Sequence, residues 1–485
     1  MNWKIILRVQ GFLLTVLSIM LLFPFGFAFY FGGDDINAIA ASIQITLAFG
    51  LLLMFLFKSN SKISSKDGFV TVTLGWIMIS IFGALPFYFH GSFGPYINCV
   101  FEAMSGFTTT GATILTDIES IPKGLLFWRS QTHWLGGMGI VLLTIAVLPI
   151  LGITSGQLFN AEVPGPTKDR ISPKIKDTAK ILWMIYTGLT LLQTVLLMLG
   201  GMDLYTALTH SFATLATGGF STLNDSIAGF NNLYFEIIII IFMYLAGVNF
   251  SLHFFLISGN IYNFFKDREL RFYTGVLITS TLLITANIYF SDLQTYAGNF
   301  GRSLRDAAFQ VVSITTTTGY ATADFNLWPP FAGILLIILM FFGGSAGSTG
   351  GGMKQIRVLI LFKQIYIEIR KLAHPRAIFA LKVGDENISD NVVRNVIAFF
   401  ILFIMFFAGI TLFLTFRGYD IVTSFSASIA ALGNIGPGLA RVGAVENYNF
   451  FDPYSKLILI FAMLLGRLEI YSVLILFYAL LIRKK

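Results

Sequence analysis

Long apolar stretches recur along the whole chain, each closed by a short polar or glycine-bearing turn. Stretches long enough to cross a bilayer fall at about 9–30, 38–57, 68–90, 126–152, 179–200, 234–258, 272–290, 328–342, 395–416 and 455–482. About 20 apolar residues are needed to cross the hydrocarbon core. The stretch 353–372 is less apolar and follows a glycine-rich break, so it reads as the second half of the 328–342 helix. The pattern predicts ten spanning helices with both termini on one side. The first run, from Ile5 to Tyr30, exceeds a signal-peptide core and shows no small-residue cleavage site, so it reads as a retained helix.

Shorter interruptions recur between these spans. Four segments read Phe107-Thr108-Thr109-Thr110-Gly111-Ala112, Leu215-Ala216-Thr217-Gly218-Gly219-Phe220, Thr316-Thr317-Thr318-Gly319-Tyr320-Ala321 and Leu432-Gly433-Asn434-Ile435-Gly436-Pro437. Aligned on Gly111, Gly218, Gly319 and Gly436, they are spaced 107, 101 and 117 residues apart. Each follows roughly ten helix-compatible residues (97–107, 203–214, 304–314, 421–431), too few to span. The predicted fold is therefore an all-α polytopic membrane protein. Two N-terminal helices (1–66) precede four helix–pore-helix–loop–helix repeats at 67–152, 153–265, 266–390 and 391–485, set around one central pore.

Composition agrees with the spans. Of 485 residues, 55% are apolar and 12% are charged, with 50 Phe and 46 Gly. The charged share is about half that of a soluble domain. The net charge of +7 would suit a nucleic-acid binder if it were clustered. Instead, 24 of the 32 basic residues fall in loops on one side, including Lys168–Lys180, Lys354–Arg394 and Lys485. That bias sets topology, makes the termini cytoplasmic and removes the nucleic-acid reading. The single cysteine, Cys99, allows neither an internal disulfide nor a zinc cluster.

The four interruptions carry the chemistry. A cation leaving water needs replacement oxygens, which backbone carbonyls supply if the chain is extended toward an axis. Glycine permits the positive backbone angles such a loop needs. Non-helical backbone at membrane depth is tolerated where it lines a water-filled or protein-buried path. A short helix aims its partly negative C-terminal end at the same point. The candidate ion-filter residues are Thr109, Thr110, Gly111, Ala216, Thr217, Gly218, Thr317, Thr318, Gly319, Asn434, Ile435 and Gly436. They include no ring of Asp or Glu, which disfavours a divalent cation.

With these motifs the chain resembles the Trk/Ktr/HKT superfamily of potassium transporters, in its bacterial TrkH-like branch, over essentially its whole length. The resemblance implies a filter in which one glycine per repeat is shared. It also implies K+ as the transported ion, with Rb+ as a second candidate, and no cofactor. Gly111, where plant relatives that pass sodium carry serine, implies potassium preference. The fourth loop departs most from Thr-x-Gly. The resemblance further implies a homodimer in the bacterial inner membrane, one pore per subunit, and a cytoplasmic nucleotide-binding partner of the TrkA-like RCK type. The basic segments 168–180 and 354–394 could dock that partner or serve only topology.

Residues 343–352 hold six glycines in ten, which cannot sustain a helix. A phosphate loop is excluded because no Ser or Thr follows Lys354 and no strand precedes the run. A packing break and an intramembrane gate remain, and the resemblance implies the gate, with Gly343, Gly344, Gly347, Gly350, Gly351 and Gly352 forming it. Arg467, in the last span, must face protein or water. It reads either as a structural pair, poorly spaced for Glu469, or as a cation below the filter that raises the barrier, the role the resemblance implies. Arg129, between Trp128 and Trp134, reads as interfacial, and Gly136, Gly137 and Gly139 as close-packing positions. Glu102, Asp203 and Asp306 read as caps of the short helices. Asn249 reads as a lower-pore residue or a structural hydrogen bond.

Three functions fit a polytopic chain: a gated potassium pore, a secondary transporter coupled to protons or sodium, and an intramembrane enzyme. Four parallel units favour the pore over the two large inverted repeats usual in transporters. No nucleophile–base or metal-ligand spacing supports an enzyme.

Overall fold

The computed structural model describes residues 1–58, 64–139, 175–377, 379–384 and 386–481. The second half of the expected 126–152 span, the boundary at 152 and the basic residues Lys168, Arg170 and Lys174 lie outside them. Among the described residues the chain is helical apart from loops and one two-stranded hairpin, Lys382–Val383 with Glu386–Asn387.

The first expected span is a pair of helices, α1 (Trp3–Met20) and α2 (Leu22–Phe31), running nearly as one. It packs against α3 (Ile36–Leu56), where Gly11 and Gly50 face each other so closely that a Cβ on either would meet the other's carbonyl within 3 Å. Small residues let helix backbones approach in this way. Helices α4 (Ser65–Gly83) and α5 (Leu85–His90) then return across the membrane, and the Gln10 side chain donates to Thr71 O at 2.8 Å to tie them to α1.

Four short helices follow the expected positions: α6 (Tyr96–Phe107), α9 (Leu204–Leu215), α14 (Phe300–Thr315) and α18 (Ile421–Leu432). Each is succeeded by a loop and a further helix. These are α7 (Lys123–Gly137), α10 (Leu233–Ala246), α15 (Pro330–Phe342) and α19 (Pro453–Arg467). The helices that lead into the last three short helices are α8 (Ile175–Leu199), α13 (Arg268–Tyr289) and α17 (Asp390–Phe416).

Two expected spans are corrected. The 234–258 run breaks after α10 and turns by 103° into α11 (Phe250–Ile257). The 455–482 run breaks after Arg467 and turns by 112° into α20 (Tyr471–Leu481). Apolar residues resume within a few positions on the far side of each break, so the overall apolar run does not show the bends. Six helices among the described residues are long and apolar enough to span alone, or eight if each bent pair is one span. Helix α15 ends after thirteen residues at the glycine run, and α16 (Gln355–Ala373) begins beyond it. A short helix, α12 (Ile261–Lys266), joins α11 to α13.

Asp203 and Asp420 cap two of the short helices, accepting from the amides of Thr206 and Thr423. Burial pushes both carboxyls up. The bonds from Thr206 and Thr423 outweigh it and hold both below the usual carboxylate range. A depressed carboxyl adds stability that is present above its unfolded value and lost as pH falls through the folded one. Melting temperature should therefore fall below pH about 4. Asp203→Asn with Asp420→Asn should flatten that acid limb, and an unchanged limb counts against the assignment.

Candidate functional site

The four loops share one backbone course. At each short-helix end a residue with positive φ is followed two residues later by a glycine with positive φ. The pairs are Thr109 (55°) and Gly111 (79°), Thr217 (54°) and Gly219 (78°), Thr317 (63°) and Gly319 (82°), and Asn434 (53°) and Gly436 (95°). The amide between them reaches back to the helix each time: Thr110 N to Ser105 O, Gly218 N to Ala213 O and Thr318 N to Ser313 O at 2.8 Å, and Ile435 N to Ala430 O at 2.9 Å.

This register corrects the second loop. Gly219, not Gly218, stands where Gly111, Gly319 and Gly436 stand, and Ala216 falls back to the helix C-cap. Read as Thr-x-Gly, Thr217-Gly218-Gly219 already carried the right phase. The adjacent glycines made Thr-Gly look equally good.

The loops close into a ring in chain order. A Cβ on Gly111 would overlap Gly218 O, one on Gly219 would overlap Thr318 O, and one on Gly319 would overlap Ile435 O. One on Gly436 would lie 2.6 Å from Thr110 O. Each glycine thus abuts the carbonyl that precedes the next loop's glycine, and the fourth returns to the first. Only glycine fits here, by sign of φ and by space. The same four glycines border one cavity of about 100 Å³, together with Ser221, Glu446 and Tyr448.

Behind the ring, Gly136 and Gly137 of α7 allow the expected close approach: a Cβ would overlap Phe107 O on Gly136 and lie 2.7 Å from Ala216 Cα on Gly137. Arg129 is not interfacial. It is 2% exposed, and its Nε donates to Glu102 Oε1 at 2.6 Å. Its Nη1 donates to Ser221 O at 3.0 Å, and its guanidinium lies over the Phe220 ring at 3.8 Å. Glu102 is correspondingly no cap. Its Oε1 accepts from the Thr113 hydroxyl and its Oε2 from Ile114 N, both at 2.9 Å. The flanking tryptophans suggested a lipid belt because the partner lies 27 residues upstream. The pair links the segments that leave the first and second loops. Breaking a buried pair strands the other charge at about 3–5 kcal/mol. Glu102→Gln should therefore lower the melting temperature in detergent by several degrees, whereas a surface change such as Glu368→Gln should not.

Asp306 also lies inside its helix, accepting from the Tyr296 hydroxyl at 3.0 Å, while Asn299 caps the helix instead. Asn434 Nδ2 donates to Thr110 Oγ1 at 3.0 Å and to Met463 O at 2.9 Å, bridging the fourth loop to the first and to α19. The Tyr448 hydroxyl donates to Gly436 O at 2.6 Å, a bond to the ring glycine's own carbonyl.

On the opposite side of the ring lies the glycine run. Thr349 Oγ1 donates to Leu215 O at 2.9 Å, Gly351 N to Thr317 Oγ1 at 2.7 Å, and Gly352 N to Gly433 O at 2.9 Å. The run is thus stitched to the ends of the second, third and fourth short helices. Arg467 reaches the same place. Its Nη1 donates to Thr349 O at 2.9 Å and approaches Thr109 Oγ1 at 3.4 Å, and its Nη2 donates to the carbonyls of Gly136 and Gly137. Glu469 pairs with Arg357. Lys354 is 3% exposed, and its ammonium donates to Gly350 O. A cavity of about 70 Å³ is lined by Gly347, Gly350, Gly351, Lys354, Arg467 and Glu469 among others. Asn249 caps α11, accepting from Ser251 N at 2.9 Å, and sits where a Cβ on Gly347 would meet it.

Residues 35–484 match the TrkH family model, described as a cation transport protein. The chain is 39% identical over 481 residues to the Trk system potassium uptake protein TrkH of Escherichia coli (strain K12), covering 98% of this chain and 99% of the relative. It is 35% identical over 478 residues to the Trk system potassium uptake protein TrkG of the same organism, covering 98% and 97%. The crystal structure of the potassium transporter TrkH from Vibrio parahaemolyticus superposes with a TM-score of 0.87 at 35% identity, covering 98% of each chain.

Proposed function

Because the chain belongs to the TrkH family of cation transport proteins, we propose that it is a gated potassium uptake pore of the inner membrane, with K+ and Rb+ as its cargo. The observation that carries this reading is the closed ring in which four glycines meet four carbonyls. In it, Thr109, Thr110, Gly111, Thr217, Gly218, Gly219, Thr317, Thr318, Gly319, Asn434, Ile435 and Gly436 form the filter. Ring carbonyls replace the hydration shell of the ion. The four short-helix C-termini add partial negative charge without a fixed acid, which suits a monovalent ion. The fourth corner contributes less, since Tyr448 already occupies the Gly436 carbonyl.

The glycine run 343–352 and Arg467 form the gate. In the present conformation the run bonds to three short-helix ends and Arg467 holds it from the other side. Opening withdraws the run and turns the guanidinium aside. The proposal keeps repeat boundaries at 66, 152, 265 and 390 and cytoplasmic termini and, on the family resemblance, a homodimer with one pore per subunit and a TrkA-like nucleotide-binding partner. Purified protein in liposomes, loaded with K+ and assayed for uptake of Rb+ against excess Na+, tests the reading. Selective passive uptake supports it. Uptake in fixed ratio to protons or sodium would replace it with the coupled transporter.

A further inference from the structure

We infer that Glu269 is a positioning residue that latches the glycine run shut by capping, from another helix, the segment that resumes beyond it. The inference rests on the gate reading above and adds to it the group that holds the loop closed.

Helix α16 starts immediately after the run, and its N-cap residue cannot serve it. That residue is Lys354, with φ 74° and no side-chain cap bond. A long aliphatic ammonium has no acceptor to offer the exposed amides of a helix start. Its ammonium is turned back onto Gly350 O. The missing acceptor comes from the first turn of α13. Glu269 Oε1 accepts from Ile356 N, in the first turn of α16, at 3.0 Å. The same oxygen accepts from Ala346 N, inside the run, at 2.7 Å. One carboxylate oxygen therefore holds both sides of the break. Gln355 completes the clasp, its amide donating to Gly344 O at 3.0 Å and its side chain to Gly343 O at 2.8 Å.

The placement has a physical reason. Glu269 is 8% exposed, and a buried carboxylate is costly unless it accepts hydrogen bonds. A helix N-terminus supplies both donors and a favourable dipole. Arg357, also in the first turn of α16, pairs with Glu469, two residues beyond Arg467. The start of α16 is thus tied to the bend between α19 and α20 as well, so a displacement of α16 is felt at the loop and at the bend beside Arg467.

Loop exposure is the direct readout, and it does not require ion conduction. With Cys99→Ala removing the one native thiol, Ser348→Cys places a probe in the loop, beside the lower cavity. Adding Glu269→Ala should raise the rate of its modification by a small charged thiol reagent by about fivefold or more, as expected for two lost hydrogen bonds. K+ flux should rise with it while the K+ to Na+ ratio stays unchanged. Glu269→Asp, which keeps the acceptor oxygens but shortens the reach, should give an intermediate rate and covers the case in which the alanine variant does not fold. Wild-type modification rates in folded variants overturn the latch. Faster modification with no K+ flux in any variant leaves the latch standing and removes the pore reading instead.

Discussion

Arg467→Ala is expected to raise passive K+ flux by about tenfold or more, with selectivity over Na+ retained. The guanidinium lies 3.4 Å from Thr109 Oγ1, at the lower edge of the ring. A unit charge about 5 Å from a cation costs roughly 3 kcal/mol at an effective dielectric of 20, a factor of about 100 in occupancy. The whole factor will not appear, because the glycine run still obstructs the path. Part of that obstruction should also loosen, since Arg467 donates to Thr349 O within the run. Arg467→Lys should restore most of the barrier by charge while losing the bonds to Gly136 and Gly137 that a forked donor makes. Flux that is unchanged in folded Arg467→Ala protein would leave the arginine a structural role only.

The second large effect concerns the ring register. Gly219→Ala should abolish selective flux, because its φ of 78° disfavours a side chain and the Cβ would overlap the fixed Thr318 carbonyl. Gly218→Ala should be milder and of a different kind. Its Cβ would meet the His133 ring, a side chain that stacks on Phe220 with centroids 4.0 Å apart. Trimming that neighbour with His133→Ala should therefore recover flux in Gly218→Ala and not in Gly219→Ala. Recovery in both, or in neither, would contradict the placement of Gly219 in the ring. Rb+ uptake by the two double variants decides it.

What the sequence could and could not reveal follows from the range of each interaction. The short helices were legible to within a few residues because length and flanking glycines are local signals. The glycine run was legible because its composition forbids a helix. The phase of the second loop was not, since Gly218 and Gly219 are interchangeable until the backbone angles are known. Arg129 was misread because its tryptophan neighbours are local and Glu102 is not. The bends after Ala246 and Arg467 were hidden by apolar residues on both sides. Glu269 gave no signal, since a carboxylate in the first turn of a helix usually serves that helix, and here it caps another one 87 residues away.

The ring is closed by contacts within a single chain, each loop resting on the next. A pore built from four separate subunits is poisoned by a faulty copy, because mixed assemblies outnumber pure ones. Here a defective glycine spoils only the molecule that carries it. A cell expressing equal amounts of intact and Gly219→Ala protein should keep about half of its uptake rather than a small remnant, so such mutations should behave as recessive and scale with gene dose.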